Sequence, residues 1–192
     1  MNVTDAIHTR RAYRNLEPVE ITEQLVDDLA THAGLSASCN NNQPWRFVFV
    51  HERGALERMW TTLSKNNKWV ELASMIVAVF TKPDDDCKIR EREYNMFDTG
   101  MASAFLILRA TELGLVAHPI AGFSPEKVRE VLGIPEEYTV VTLINVGRKT
   151  DVIHPYLSEK QAETEKERPA RKPLREYAYR NAYDPAGPSN QS

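Results

Sequence analysis

Cysteine is nearly missing from this chain of 192 residues: only Cys39 and Cys87 occur, far apart and in unlike settings. So sparse a pattern argues against a disulfide-built scaffold and makes reduced thiols the expected state. An excess of positive charge is missing too. Lys and Arg number 24 against 27 Asp and Glu, a net charge of −3, whereas a general nucleic-acid binder is ordinarily basic. No stretch comes near the roughly 18 consecutive apolar residues that a membrane span needs. The opening "MNVTDAIHT" has neither the basic nor the apolar segment of a secretory signal. The expected setting is cytoplasmic, with no membrane and no nucleic-acid partner.

Catalytic signatures are equally scarce. No GxG occurs, which argues against a Rossmann pyrophosphate turn, and GxxxxGK[ST], HExxH and GxSxG are absent as well. The five histidines are scattered and the two cysteines lack ligand spacing, so no metal is expected. An enzyme of this composition would leave the chemistry to a bound organic cofactor.

What is present reads as one folded domain with 42% apolar and 27% charged residues, the globular average. "VTDAIHTRRAYR" predicts a short helix capped by Thr4, which would place Arg10 and Arg14 one turn apart on one face. "ITEQLVDDLATHAG" predicts a helix starting at Thr22 and stopped by Gly34, and "SPEKVREVLG" one capped by Ser124 and stopped by Gly133. "WRFVFVH", Met75 to Thr81 and "YTVVTLINVGRK" read as strands, the last apolar enough for cover on both faces. The long segment around "MFDTGMASAFLILRATELG" carries apolar rows at 97, 101, 105 and 108 and at 102, 106 and 113. That spread predicts a central helix buried on most sides. From about Asp151 the chain turns charged and nearly free of aliphatic residues, so residues 1–150 form the expected domain and 151–192 an arm that cannot bury itself.

Four segments carry concentrated polar chemistry. "HTRRAYR" gathers Arg10, Arg11 and Arg14 in five positions; guanidinium forks suit a phosphate. "SASCNNNQPW" offers amides and hydroxyls before a strand, suited to a planar polar ring. "AHPIAGF" offers free backbone N–H groups at a turn where Gly122 permits close approach. "ERPARKPL" is a second basic knot. Singly, each has a plain structural reading: cations at a helix end, turn-forming asparagines, a strand-end turn, a solvated linker.

Together and in this order they resemble the nitroreductase family of FMN-dependent oxidoreductases. "TRRAYR", "SASCNNNQPWRFVFV", "FDTGMASAFLILRATELGL" with the following "PIAG", "VLGIPEEYTVVTLINVGRK" and "RPARKPL" carry the likeness over about residues 4–180. The resemblance implies an α+β fold, with a central mixed sheet flanked by helices. It also implies an intertwined homodimer whose C-terminal arm, ending in disorder, packs on the partner subunit. It implies FMN as cofactor, NADH or NADPH as donor, and a nitroaromatic, quinone or similar small molecule as acceptor. By position, Arg10, Arg11 and Ala12 would hold the FMN phosphate and ribityl chain, and Arg14 would sit at the flavin pyrimidine edge. Ala37, Ser38 and Asn41 would approach FMN from the other subunit, Asn66 would contact the ring, and Arg171 and Lys172 would reach the phosphate. Pro119, Ile120, Ala121 and Gly122 would form the turn on the ring. Ala12 stands where the family usually has Ser, and Ala121 where many members have an acid. The stretch from Lys65 to Phe97 is shorter than in many members. A deiodinase-like or flavin-modifying relative, or a phosphate-binding dimeric scaffold, is the alternative.

Overall fold

The computed structural model describes residues 1–184. In chain order the elements are α1 (Val3–Thr9), β1 (Leu16–Glu17), α2 (Glu23–Gly34), β2 (Arg46–Val50), α3 (Arg53–Trp60), β3 (Met75–Thr81), β4 (Lys88–Ile89), β5 (Arg92–Glu93), α4 (Asn95–Glu112), β6 (Val116–Ile120), α5 (Pro125–Leu132), β7 (Thr139–Lys149) and α6 (Glu159–Lys166). Caps set several boundaries as their sequences dictate. Thr22 accepts from the Leu25 amide to start α2, Ser124 accepts from Lys127 to start α5, and Gly133 ends α5 in the left-handed region at φ 66°.

β7 is the spine of the sheet. β3 and β6 pair along its two edges, β1 joins its C-terminal end at Arg148 and Lys149, and β2 adds outside β3. Among the described residues every pairing in this sheet is antiparallel. The expected mixed sheet is therefore corrected: no described strand supplies the parallel neighbour. β3 alternates strictly between two cores. Met75, Val77 and Val79 point to one with Leu29, Ala33, Leu106 and Ala110 of α2 and α4, while Ile76 and Ala78 point to the other with Met59, Trp69 and Val128. A strand buried on both faces has no reason to alternate polar with apolar, which is why it reads as a continuous apolar run.

Three expectations change here. α1 ends at Thr9, and Arg10 leaves helical geometry at φ −53°, ψ 122°; the chain must extend from there to pair Leu16 with Lys149. The cap is Asn2, in a capping box with Asp5, instead of Thr4. Arg10 and Arg14 thus share no helical face. α4 buries Ala102, Leu106 and Ala110, but its other apolar row faces outward, with Phe97 63% and Phe105 44% exposed. Finally, Cys39 and Cys87 are joined by a disulfide spanning 48 residues. The expectation of reduced thiols is overturned, because tertiary packing of the loop before β2 against the loop before β4 brings the sulfurs together.

The segment after Asp151 packs on its own chain as far as Arg168. Leu157 enters the core, and Arg168 Nη2 donates to the carbonyls of His8 and Arg10 at 2.6 and 2.7 Å. Beyond it Leu174 and Tyr177 are exposed. The end of the tail, expected to be disordered, lies outside the described residues. No helix among the described residues is long and apolar enough to cross a membrane.

Candidate functional site

The C-terminal end of β6 and the 3₁₀ segment Lys65–Leu72 build a cavity of about 380 Å³ whose walls include Arg14, Asn66 and the Pro119–Gly122 turn. Two of the four polar segments singled out in the sequence line it, one through Arg14 and the other through His118 to Gly122. A second cavity of about 410 Å³ shares Arg14 and Asn66 and is closed by Tyr156, Gln161 and Thr164 from the C-terminal segment.

The turn is fixed by its carbonyl. Gly122 O accepts from the Ser64 amide at 3.0 Å and from Asn67 Nδ2 at 2.8 Å. A Cβ on Gly122 would come within 2.5 Å of Asn67 Nδ2 and 2.7 Å of Ser64 Oγ, so a side chain there would displace the Asn67 amide that holds the turn. The amides of Ala121 and Gly122 lie past the last strand pair and donate to no protein group among the described residues, leaving two N–H donors at the cavity edge.

Behind the turn stands His118, buried and stacked on the Trp69 ring with centroids 4.6 Å apart. Its Nδ1 lies 2.9 Å from the Tyr13 carbonyl; a carbonyl can only accept, so the proton sits on Nδ1 and Nε2 is the acceptor. Burial, and then the positive charges of Arg14 and Arg10, push its pKa down to about 4 from 6.5. Unfolded His118 binds a proton in a range where the folded residue does not. This group therefore lowers stability as pH falls from 6.5 toward 4, by about 3 kcal/mol at the lower end. Urea unfolding at a series of pH values, compared with a His118→Phe variant, measures it: wild type loses stability across this window and the variant loses correspondingly less.

The arginines divide. Arg14 rises over the Trp69 ring, 5.9 Å from its centroid, and lines both cavities. Arg10 is half-buried, and its pKa is lowered by burial and by the charges of Arg168 and Arg171. None of Arg10, Arg14, Arg168 and Arg171 has a carboxylate partner among the described ion pairs. Such a cluster suits an anion. Arg11 is elsewhere: its Nη2 donates to the carbonyls of Thr164 and Glu167 at 2.9 and 2.6 Å, and its guanidinium stacks on Tyr13. Ala12 is exposed beside it, and Lys172 is exposed with no described partner. Ala37, Ser38 and Asn41 lie on the loop before β2 and outside both cavities.

Sequence reasoning missed Trp69, His118 and Asn67, and it left open which of Arg168, Arg171 and Lys172 reaches the phosphate. His118 lay inside "AHPIAGF" and Arg168 inside "ERPARKPL", but nothing local distinguishes a stacked histidine from a core one. Of the acidic and sulfur groups, Cys39, Asp86 and Cys87 come within 4.8 Å of one another; the sulfurs are bonded to each other, so they offer no thiolate.

The chain is similar to known proteins in sequence and in fold. YdgI of Bacillus subtilis (strain 168), provisionally named an NAD(P)H nitroreductase, is 25% identical over 179 residues, covering 74% of this chain and 86% of its own. A crystal structure described as an oxidoreductase containing FMN superposes with a TM-score of 0.81 at 26% identity, over 96% of this chain and 94% of that one. A provisionally named nitroreductase from Exiguobacterium sibiricum 255-15, crystallised with FMN, shares the fold with a TM-score of 0.76 at 21% identity, over 93% and 97% of the two chains. The family model for nitroreductases matches residues 7–148, and the chain belongs to the nitroreductase family.

Proposed function

We propose that this protein is an FMN-dependent oxidoreductase that takes electrons from NADH or NADPH and passes them to a small acceptor such as a nitroaromatic or a quinone. The observation that carries the reading is the convergence of Arg14, Asn66 and the Pro119–Gly122 turn on one cavity, with Arg10, Arg168 and Arg171 gathered nearby. FMN, when bound, supplies the two-electron chemistry; the chain supplies position and charge.

The residues present fit that group. The carboxylate-free cluster of Arg10, Arg168 and Arg171 offers charge-assisted donors to a phosphate. The close contact at Gly122 leaves a flat wall without a side chain, and the neighbouring amides can donate to a ring nitrogen. Arg14 brings positive charge to a site where negative charge grows on reduction. His118 stays neutral at physiological pH, so it adds no second cation beside Arg14. The Arg14→Ala variant is expected to bind FMN about tenfold more weakly and to be reduced more slowly, read by flavin fluorescence and anaerobic stopped-flow absorbance. Unchanged affinity and unchanged rate would remove Arg14 from the site.

The reading includes a homodimer. Phe97 and Phe105 on α4 and Val3 and Ile7 on α1, which packs against α4, are exposed apolar side chains, the kind of surface a partner covers. A second copy would cover it and bring Ala37, Ser38 and Asn41 to the partner subunit's flavin. The exposed segment from Arg171 onward is then the arm that the partner buries. Arg11 and Ala12 keep an anchoring role through the α6 segment they border, and Lys172 an auxiliary one at the phosphate.

A further inference from the structure

The disulfide joins the loop before β2, which holds Ala37, Ser38 and Asn41, to the hairpin of β4 and β5. Asn40, Asn41 and Gln43 all have left-handed φ values, 50°, 58° and 52°; asparagine tolerates that region, whereas Gln43 stays there only where its surroundings impose it. Some of the ties lie within the loop, where the Gln43 amide donates to Ser38 Oγ at 3.0 Å; the others converge on Cys39 and Cys87. The Cys39 amide donates to Asp98 Oδ2 at 2.7 Å. Asn40 and Asn42 donate through Nδ2 to Cys87 Sγ at 3.4 and 3.5 Å, and Asn42 Nδ2 also reaches Asp86 Oδ1 at 3.3 Å. The S–S bond is the one covalent tie. Both cysteines are partly exposed, so an external thiolate can reach them.

We propose that Cys39 and Cys87 form a reversible thiol–disulfide exchange site, taking a dithiol reductant as partner, that latches the loop at residues 36–43. One thiolate of the dithiol attacks a sulfur of the pair. A mixed disulfide forms, and the Cys39–Cys87 bond breaks with release of the other cysteine as thiolate. The second thiol of the reductant then displaces the bound cysteine. Both cysteines end as thiols, having gained two electrons and two protons, and the dithiol leaves as its own disulfide. Once cut, the bond no longer holds the hairpin against the loop, and the backbone around Asn40, which is tied to Cys87, loosens. The consequence for flavin rests on the proposed function: the loop would approach FMN in its closed form only, so reduction weakens FMN binding.

The test uses the full-length protein under native conditions. Alkylation and intact mass count thiols before and after dithiothreitol, and after reoxidation with glutathione disulfide. Flavin fluorescence measures FMN affinity in each state, and amide exchange reports on residues 36–43 and 86–94. The expected result is zero thiols, then two, then zero, with faster amide exchange and an FMN dissociation constant about tenfold higher in the reduced state. A Cys39→Ser/Cys87→Ser variant should match reduced wild type and ignore dithiothreitol. Thiols that never form under native reduction, or never close again, overturn the exchange site. Thiols that exchange while loop protection and FMN affinity stay constant overturn the latch. Failure of the oxidised wild type to bind FMN at all would count against the proposed function; the alkylation and amide-exchange results would still decide the exchange site.

Discussion

An Arg10→Ala substitution is expected to raise the FMN dissociation constant about 100-fold, equivalent to about 3 kcal/mol. Arg10 is the half-buried member of the Arg10, Arg168 and Arg171 group, and its protonated form is already disfavoured by burial and by its two neighbours. A dianionic phosphate among them would relieve that repulsion and form charge-assisted hydrogen bonds, and truncating a group so placed typically costs 2–5 kcal/mol. The control is Arg11→Ala. Arg11 donates to the Thr164 and Glu167 carbonyls at the C-terminal end of α6, so its loss should loosen that helix and lower thermal stability more than it lowers FMN affinity. Equilibrium titration followed by flavin fluorescence separates the two. Arg10→Ala affinity within twofold of wild type would contradict the phosphate assignment.

Glu165→Ala is expected to destabilise the fold by about 3 kcal/mol, or a fall in Tm of roughly 6–12 °C for a chain of this size. The Glu165 carboxylate is buried and accepts from the Arg14 amide at 3.1 and 3.2 Å and from the Asn15 amide at 3.2 Å. Alanine would leave both donors unpaired inside the protein. It would also free α6 from the segment that carries Arg14, so the second cavity would lose its wall and FMN affinity would fall with stability. Glu165→Gln keeps one acceptor oxygen and should recover part of the loss. Calorimetry of the three proteins decides it, and a Tm change below 2 °C for the alanine variant would show that the helix does not depend on this carboxylate.

Local chemistry made much of the fold legible. Thr22, Ser124 and Gly133 mark helix ends by hydrogen bonds and a left-handed residue that act within four positions, and β3 and β7 announce their burial by composition alone. Apart from the cap of α1, where Asn2 and not Thr4 starts the helix, the failures are places where distant contacts decide. The arginine segment reads as helix, but pairing of Leu16 with Lys149 pulls it into an extended path. The cysteines sit 48 positions apart, and no periodicity encodes their meeting. The outward apolar row of α4 is indistinguishable in sequence from a buried one, because hydrophobic spacing shows that a face is apolar and not what covers it. The candidate site was legible as motifs whose joint meaning comes from family resemblance. What the motifs could not reveal is the support beneath them: Trp69 under Arg14, His118 behind Trp69, and Asn67 clamping the Gly122 carbonyl.

The central claim is that these residues hold a flavin which a nicotinamide donor can reduce. Anaerobic titration of the purified protein with FMN, followed by addition of NADH or NADPH, tests it directly. The expected result is saturation at one FMN per chain and bleaching of the bound flavin's visible absorbance by at least one of the two donors. Protein that leaves FMN free at micromolar concentrations, or bound flavin that neither donor bleaches, would contradict it.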